Sequence, residues 1–128
     1  MGVLGIGGLF FRARDPEALA SWYKEHLNVG AGCVAPGAGN PAEWVWTAQG
    51  GPVVFAPFAA DTDYFPSDKA FMLNLRVSDL AQLIDGLKGA GIDVETRDEW
   101  DDPNVGRFAR IHDPEGNPIE LWEPPADS

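Results

Sequence analysis

The stretch Arg107-Phe-Ala-Arg-Ile-His-Asp-Pro-Glu-Gly-Asn-Pro-Ile-Glu-Leu-Trp-Glu123 reads as strand, turn, strand. Ala109 and Ile111 alternate with Phe108, Arg110 and His112, and after the turn Ile119 and Leu121 alternate with Glu120 and Trp122. A period of two marks strands with two different faces. Between them, Asp113-Pro-Glu-Gly-Asn117 holds turn residues: Pro presets φ and Gly tolerates φ > 0. A hairpin closing there sets Arg110 opposite Glu120 and Phe108 opposite Trp122, and side chains directly opposed on one face interact. An Arg110–Glu120 ion pair is therefore expected. The apolar face asks for a helix to cover it, whereas the other face carries Arg110, His112 and Glu120.

Working outward, the two halves of the chain repeat one another. Leu9-Phe-Phe-Arg-Ala-Arg-Asp15 matches Leu73-Asn-Leu-Arg-Val-Ser-Asp79, and the two Asp residues are half the chain length apart. Each is followed by helix spacing, with Leu19, Trp22, Tyr23 and Leu27 on one face in the first copy and Leu80, Leu83, Ile84 and Leu87 in the second. Asp15 is a good N-cap ahead of Pro16, and Asp79 caps the second helix with Gln82 three residues on. Gly30 and Gly91 are the expected stops. Three strand candidates follow each helix: residues 29–34, 43–47 and 52–58, then 92–97, 107–112 and 118–123. Residues 35–41 and 98–105 are Gly-, Pro-, Asp- and Asn-rich loops at equivalent places in the two halves, suited to covering a site. The expected organisation is one domain: a strand–helix–three-strand module over residues 1–58, a linker over 59–69, a second module over 70–124 and a tail over 125–128.

Bulk composition narrows the function classes. One domain is the expectation for 128 residues, and 45% hydrophobic content suffices for a core. There is no run of 18 apolar residues and no basic start with a cleavage signal, so neither a membrane span nor a secretory peptide is expected. Met1-Gly2 is not a myristoylation signal, because Gly7 stands where Ser or Thr is wanted. Cys33 is alone, which fits a reducing cytoplasm. A net charge of −11 repels phosphate backbones, so no nucleic-acid partner is expected. Ser21 and Cys33 lack a nearby His and acid pattern, and Gly5-Ile-Gly7-Gly8 precedes no helix, so neither a nucleophile nor a dinucleotide loop is signalled.

Two βαβββ units with Asp-Pro-Glu-Gly-Asn-Pro-Ile-Glu-Leu at residues 113–121 resemble the vicinal oxygen chelate superfamily, which includes glyoxalase I, bleomycin-resistance proteins, extradiol dioxygenases and fosfomycin-resistance enzymes. The resemblance spans nearly the whole chain and rests mostly on residues 10–27 and 107–124. It implies an α+β fold in which two βαβββ modules form a curved sheet around a cup, often a homodimer, and in many members a divalent metal in the cup. The helices need a sheet face to bury against, so Leu9, Phe11, Ala13, Val45, Thr47, Val54, Leu73, Leu75, Val77, Ala109, Ile111, Ile119 and Leu121 belong beneath them. The alternate set then faces the cup: Phe10, Arg12, Trp44, Trp46, Phe55, Met72, Asn74, Arg76, Phe108, Arg110, His112, Glu120 and Trp122.

The resemblance puts metal ligands on the first and last strand of each module, which correspond here to Gly8, Phe55, Met72 and Glu120. Gly and Phe offer no side-chain donor, and a thioether does not suit hard divalent ions. Only Glu120 remains, so no cofactor is expected and a divalent metal is disfavoured. Glu120 is the candidate general base or hydrogen-bond acceptor, and His112 the candidate proton shuttle, with a strand-end His bonding the turn as the plainer account. Arg12 and Arg76, at equivalent repeat positions, are suited to gripping a carboxylate or phosphate, or to pairing across the modules. The aromatic set suits a flat ligand or an interface, and Trp100 suits a lid. The functional expectation is a small-molecule binding protein or enzyme of the superfamily with an aromatic, Arg-lined cup. Its rivals are a metal-dependent lyase, isomerase or dioxygenase, an antibiotic-sequestering protein, and a purely structural or dimerising role.

Overall fold

A computed structural model describes residues 2–32 and 45–126. The chain divides into two compact units, Met1–Trp46 and Thr47–Ser128. The first contains α1 (Pro16–Leu27). The second contains β1 (Leu73–Arg76), α2 (Leu80–Gly89), a single 3-10 turn at Asp98–Trp100, β2 (Arg107–His112) and β3 (Pro118–Glu123).

The quoted hairpin folds as its alternation predicts. β2 and β3 pair antiparallel with Arg110 opposite Glu120 and Phe108 opposite Trp122. Asp113, itself buried, closes the loop: its carboxylate accepts from the N–H groups of Glu115 and Asn117 and from the Asn117 side-chain amide. These bonds satisfy donors that a tight loop would otherwise strand. Gly116 stands at φ 82, the left-handed conformation that the turn needs. β3 is also paired in parallel with β1, so the sheet order is β1-β3-β2 and β3 is central. An isolated bridge between Glu95 and Arg110 lies on the outer side of β2.

The core lies on one face of this sheet. Ala109, Ile111, Ile119 and Leu121 are fully buried, and α2 packs on β3 through its apolar stripe of Leu80, Ile84 and Leu87. Each large aliphatic side chain removed from water in this way contributes about 1.5–3 kcal/mol. The start of α2 is doubly anchored. The Asp79 carboxylate accepts from the Gln82 N–H, and the Glu123 carboxylate on β3 accepts from the Leu80 N–H at 2.7 Å. Both fill donors that a helix N-terminus leaves free, and both place negative charge at the positive end of the helix.

In the first unit, Asp15 caps α1 through the Ala18 N–H ahead of Pro16, as expected. Leu19 and Tyr23 are its buried positions, and Tyr23 meets Phe11 and Trp22 edge to face. The helix stops at Asn28 rather than Gly30. Asn28 adopts the left-handed conformation, and the N–H groups of Asn28 and Val29 return to the Lys24 and Tyr23 carbonyls.

Among the described residues, the strand–helix–strand order is seen in the second half, and the first half shows its capped helix. The second half supplies strand, helix, a bridge in place of the strand expected at 92–97, and two strands. In the first half, the described residues contain α1 and no strand, including at 8–14, 45–47 and 52–58. The expected strand at 29–34 and the one at 43–47 lie partly outside the described residues. Alternation makes a segment fit for a strand, but a ladder partner makes it one, and β3 finds partners on both sides. The curved sheet that two modules are expected to form around a cup is represented, among the described residues, by one open three-stranded sheet.

Candidate functional site

The pleat that sends Ile119 and Leu121 under α2 sends Glu120 to the opposite face, and Arg110 stands beside it in register. Both are buried: Arg110 is 6% exposed and Glu120 8%. Buried charges are normally paired with each other. Here, among the described residues, no ion pair joins them, which corrects the sequence expectation. Glu120 is held instead by two neutral donors. The Tyr64 hydroxyl donates to its Oε2 at 2.5 Å, and the Asn74 amide donates to its Oε1 at 2.7 Å. Asn74 reaches it because β1 lies alongside β3 with Asn74 in register with Glu120.

Arg110 turns to aromatic rings. Its guanidinium lies 4.8 Å from the centre of the Tyr64 ring and 5.5 Å from that of Trp100. The two rings meet edge to face at 6.3 Å. The guanidinium Nε and Nη2 are buried and have no hydrogen-bond partner. Tyr64 is positioned by local chemistry: its N–H donates to the Thr62 hydroxyl, and its ring stacks on Phe58 at 5.6 Å. Trp100 closes the 3-10 turn, with its N–H on the Arg97 carbonyl and the Arg97 guanidinium 5.2 Å from its ring. The Tyr64 phenol is pushed up to about 12, first by burial and then by its hydrogen bond to the Glu120 carboxylate, with the Arg110 charge opposing. At neutral pH Tyr64 is therefore a neutral donor.

The remaining candidates are dispersed. Phe108 and Trp122 stack nearly parallel, at 6.4 Å and 8°, as their register requires. The Trp122 indole donates to the Val105 carbonyl. The Arg76 guanidinium donates to the carbonyls of Gln49, Gly50 and Pro52, and so fastens a loop. Gly51, at φ 152, leaves room for that guanidinium, into which a Cβ would run. Met72 is half-buried. His112 is exposed at the strand end, and among the described residues no hydrogen bond joins it to Glu120. Phe55 is 88% exposed. In the first unit, Phe10, Arg12 and Trp46 are exposed, and Trp44 lies outside the described residues. The structure therefore brings together Arg110, Glu120 and Asn74 from the expected set. It adds Tyr64, which sequence reasoning missed, and gives Trp100 a specific neighbour. The available signal for Tyr64 was the Tyr64-Phe65 pair in an otherwise polar stretch read as linker.

A metal does not fit the four positions implied by the resemblance. Gly8 and Phe55 carry no donor, Met72 offers only a soft thioether, and Glu120 is left as a single carboxylate. Among the described residues, no three His, Cys, Asp or Glu side chains gather as a metal-holding group, and no helix is long and apolar enough to cross a membrane.

Comparison with known proteins agrees with this architecture. The sequence profile of the glyoxalase-like domain matches residues 8–122. Among solved structures, the chain is similar to TnmS3, described as an antibiotic binding protein from Streptomyces sp. CB03234. The two share 24% identity with a TM-score of 0.54, over 97% of this chain and 98% of that one. No curated protein sequence matches.

Proposed function

This chain belongs to the glyoxalase-like domain family, within the vicinal oxygen chelate superfamily, and from that premise we propose that it binds a small organic molecule without a metal. The ligand rests on the sheet face that α2 leaves uncovered, beside Arg110, Glu120, Tyr64 and Trp100. The observation that carries this reading is a buried Arg and a buried Glu, side by side on that face, that do not pair with each other. A fold stabilised for its own sake would close that pair. A binding site keeps polar groups apart and oriented for something else. Phe108 and Trp122, stacked on the same strands, extend the face with flat apolar surface.

Binding is favoured over turnover by the state of the candidate base. Glu120 accepts from two donors, which fix the carboxylate in place and occupy one acceptor site on each of its oxygens. His112 stands exposed at the strand end, away from proton-shuttle duty. Sequestration of an antibiotic is the specific form of binding favoured by the description of TnmS3, a protein of the same fold.

A homodimer also belongs to this reading. Val3, Leu4 and Phe10 in the first unit and Val54 and Phe55 in the second are each more than half exposed, and apolar surface of this kind calls for cover by a second copy.

The test is a titration of intrinsic tryptophan fluorescence, paired with thermal-shift measurements, using bleomycin and a panel of neutral and anionic aromatic antibiotics. Saturable quenching with stabilisation by at least one compound, and no turnover of hemithioacetal or epoxide substrates, is the expected result. A flat response to the whole panel sinks the binding reading. Metal-dependent turnover, abolished in Glu120→Ala, sinks its metal-free form.

A further inference from the structure

Arg110 has two acidic neighbours in the sheet, and both are engaged elsewhere. Glu120, across the β2–β3 ladder, accepts from Tyr64 and Asn74. Glu95, across the isolated bridge on the other side of β2, is bound through its Oε2 by the Arg97 guanidinium at 2.6 and 2.8 Å. In a chain with twenty acidic and nine basic residues, a buried arginine left without a carboxylate is a specific arrangement rather than a shortage of partners. The rings of Tyr64 and Trp100 stabilise its charge, but a π face does not replace an acceptor for Nε–H and Nη2–H.

Resting on the small-molecule reading above, we propose that Arg110 is the anchor for an anionic oxygen of the ligand, a carboxylate, phenolate or enolate, bound through Nε and Nη2. These two N–H groups lie on one edge of a planar guanidinium, the geometry that takes a carboxylate side-on. The ring of Trp100 lies against this guanidinium, its centre 5.5 Å from Cζ. It is carried by a three-residue turn whose backbone bonds are short-range, Trp100 N–H to the Arg97 carbonyl and Asp101 N–H to the Asp98 carbonyl. Displacing the indole exposes Arg110 while leaving the sheet intact, so the anion enters where Trp100 now lies and the indole folds back over the ligand. Tyr64 stays protonated and adds no negative charge against the incoming anion. Glu120, with both oxygens engaged, is left to accept a donor on the ligand through its remaining lone pairs. This local arrangement selects against the cationic ligands that the net charge of −11 would by itself attract.

The experiment uses 2-naphthoate and 2-naphthamide, equal in ring system and differing in charge, in calorimetric titrations of the full-length protein and its variants. The wild type is expected to bind naphthoate about tenfold more tightly than the amide. Arg110→Met is expected to abolish that preference, read as a ratio of the two affinities near one. Arg110→Lys should retain part of the preference, and Trp100→Ala should speed naphthoate association in stopped-flow fluorescence. Equal affinity for the two probes in the wild type, or an unchanged preference in Arg110→Met, overturns the anion anchor and leaves the small-molecule site standing. Binding of neither probe overturns both. If Arg110→Met does not fold, the Arg110 Nε–H resonance of the wild type carries the test: it must shift with naphthoate and not with the amide, and an unmoved resonance overturns the proposal.

Discussion

Tyr64 keeps its proton because burial, and then the Glu120 carboxylate against its hydroxyl, push its pKa from 10.0 up to about 12. A raised pKa favours the protonated form in the folded state. The associated stability is fully present below pH 10 and is lost as pH rises through about 12. The chain has two tyrosines, and comparison of phenolate absorbance between the wild type and Tyr64→Phe isolates the contribution of Tyr64. A transition near 12 should be lost in Tyr64→Phe, and an unchanged titration curve would contradict the hydrogen bond. The same variant removes one of two donors from a buried carboxylate and should lower stability by about 1 kcal/mol. Arg110 and Glu120 show how far residue chemistry reads from sequence alone. Their side-by-side placement follows from strand alternation and loop length, both local. Their choice of partners does not, because Tyr64 comes from a stretch 56 positions before Glu120 that carries no strand or helix pattern.

At the scale of elements, the hairpin is the firmest feature. Its strand limits, faces and register all agree with the alternation at 107–112 and 118–123. Asp113→Ala should test the loop. It removes three accepted hydrogen bonds at a buried position and should lower stability by about 1–3 kcal/mol, seen as a lower denaturant midpoint with an unchanged m-value. Leu121→Ala empties a fully buried site under α2 and should lower stability by about 2–5 kcal/mol by the same measurement. A loss below that of Asp113→Ala would mean that the face beneath α2 is not the main core. The strand candidates at 8–14 and 52–58 were legible as patterns and yet form no ladder among the described residues. Periodicity describes how a segment would present its side chains, whereas pairing needs a neighbour with free N–H and C=O groups at the right spacing.

At the scale of the molecule, the exposed apolar residues and the fold carry the association prediction. Sedimentation velocity should show a dimer that persists on dilution, and Phe10→Asp should weaken it; a monomer at all concentrations would remove the dimer from the proposed function. The sequence by itself determined the family, the capped starts of both helices, the hairpin with its register, and the poor donor set at Gly8, Phe55, Met72 and Glu120. These depend on short-range spacing, turn chemistry and residue type, which survive without knowledge of distant contacts. Only the tertiary structure decided that Glu120 is held by Tyr64 and Asn74, that Arg76 fastens a loop, and that Arg110 is enclosed by two rings with two donors unmet. A buried polar group takes whichever partner arrives at hydrogen-bonding distance, and that distance is set by the packing of segments far apart in the chain.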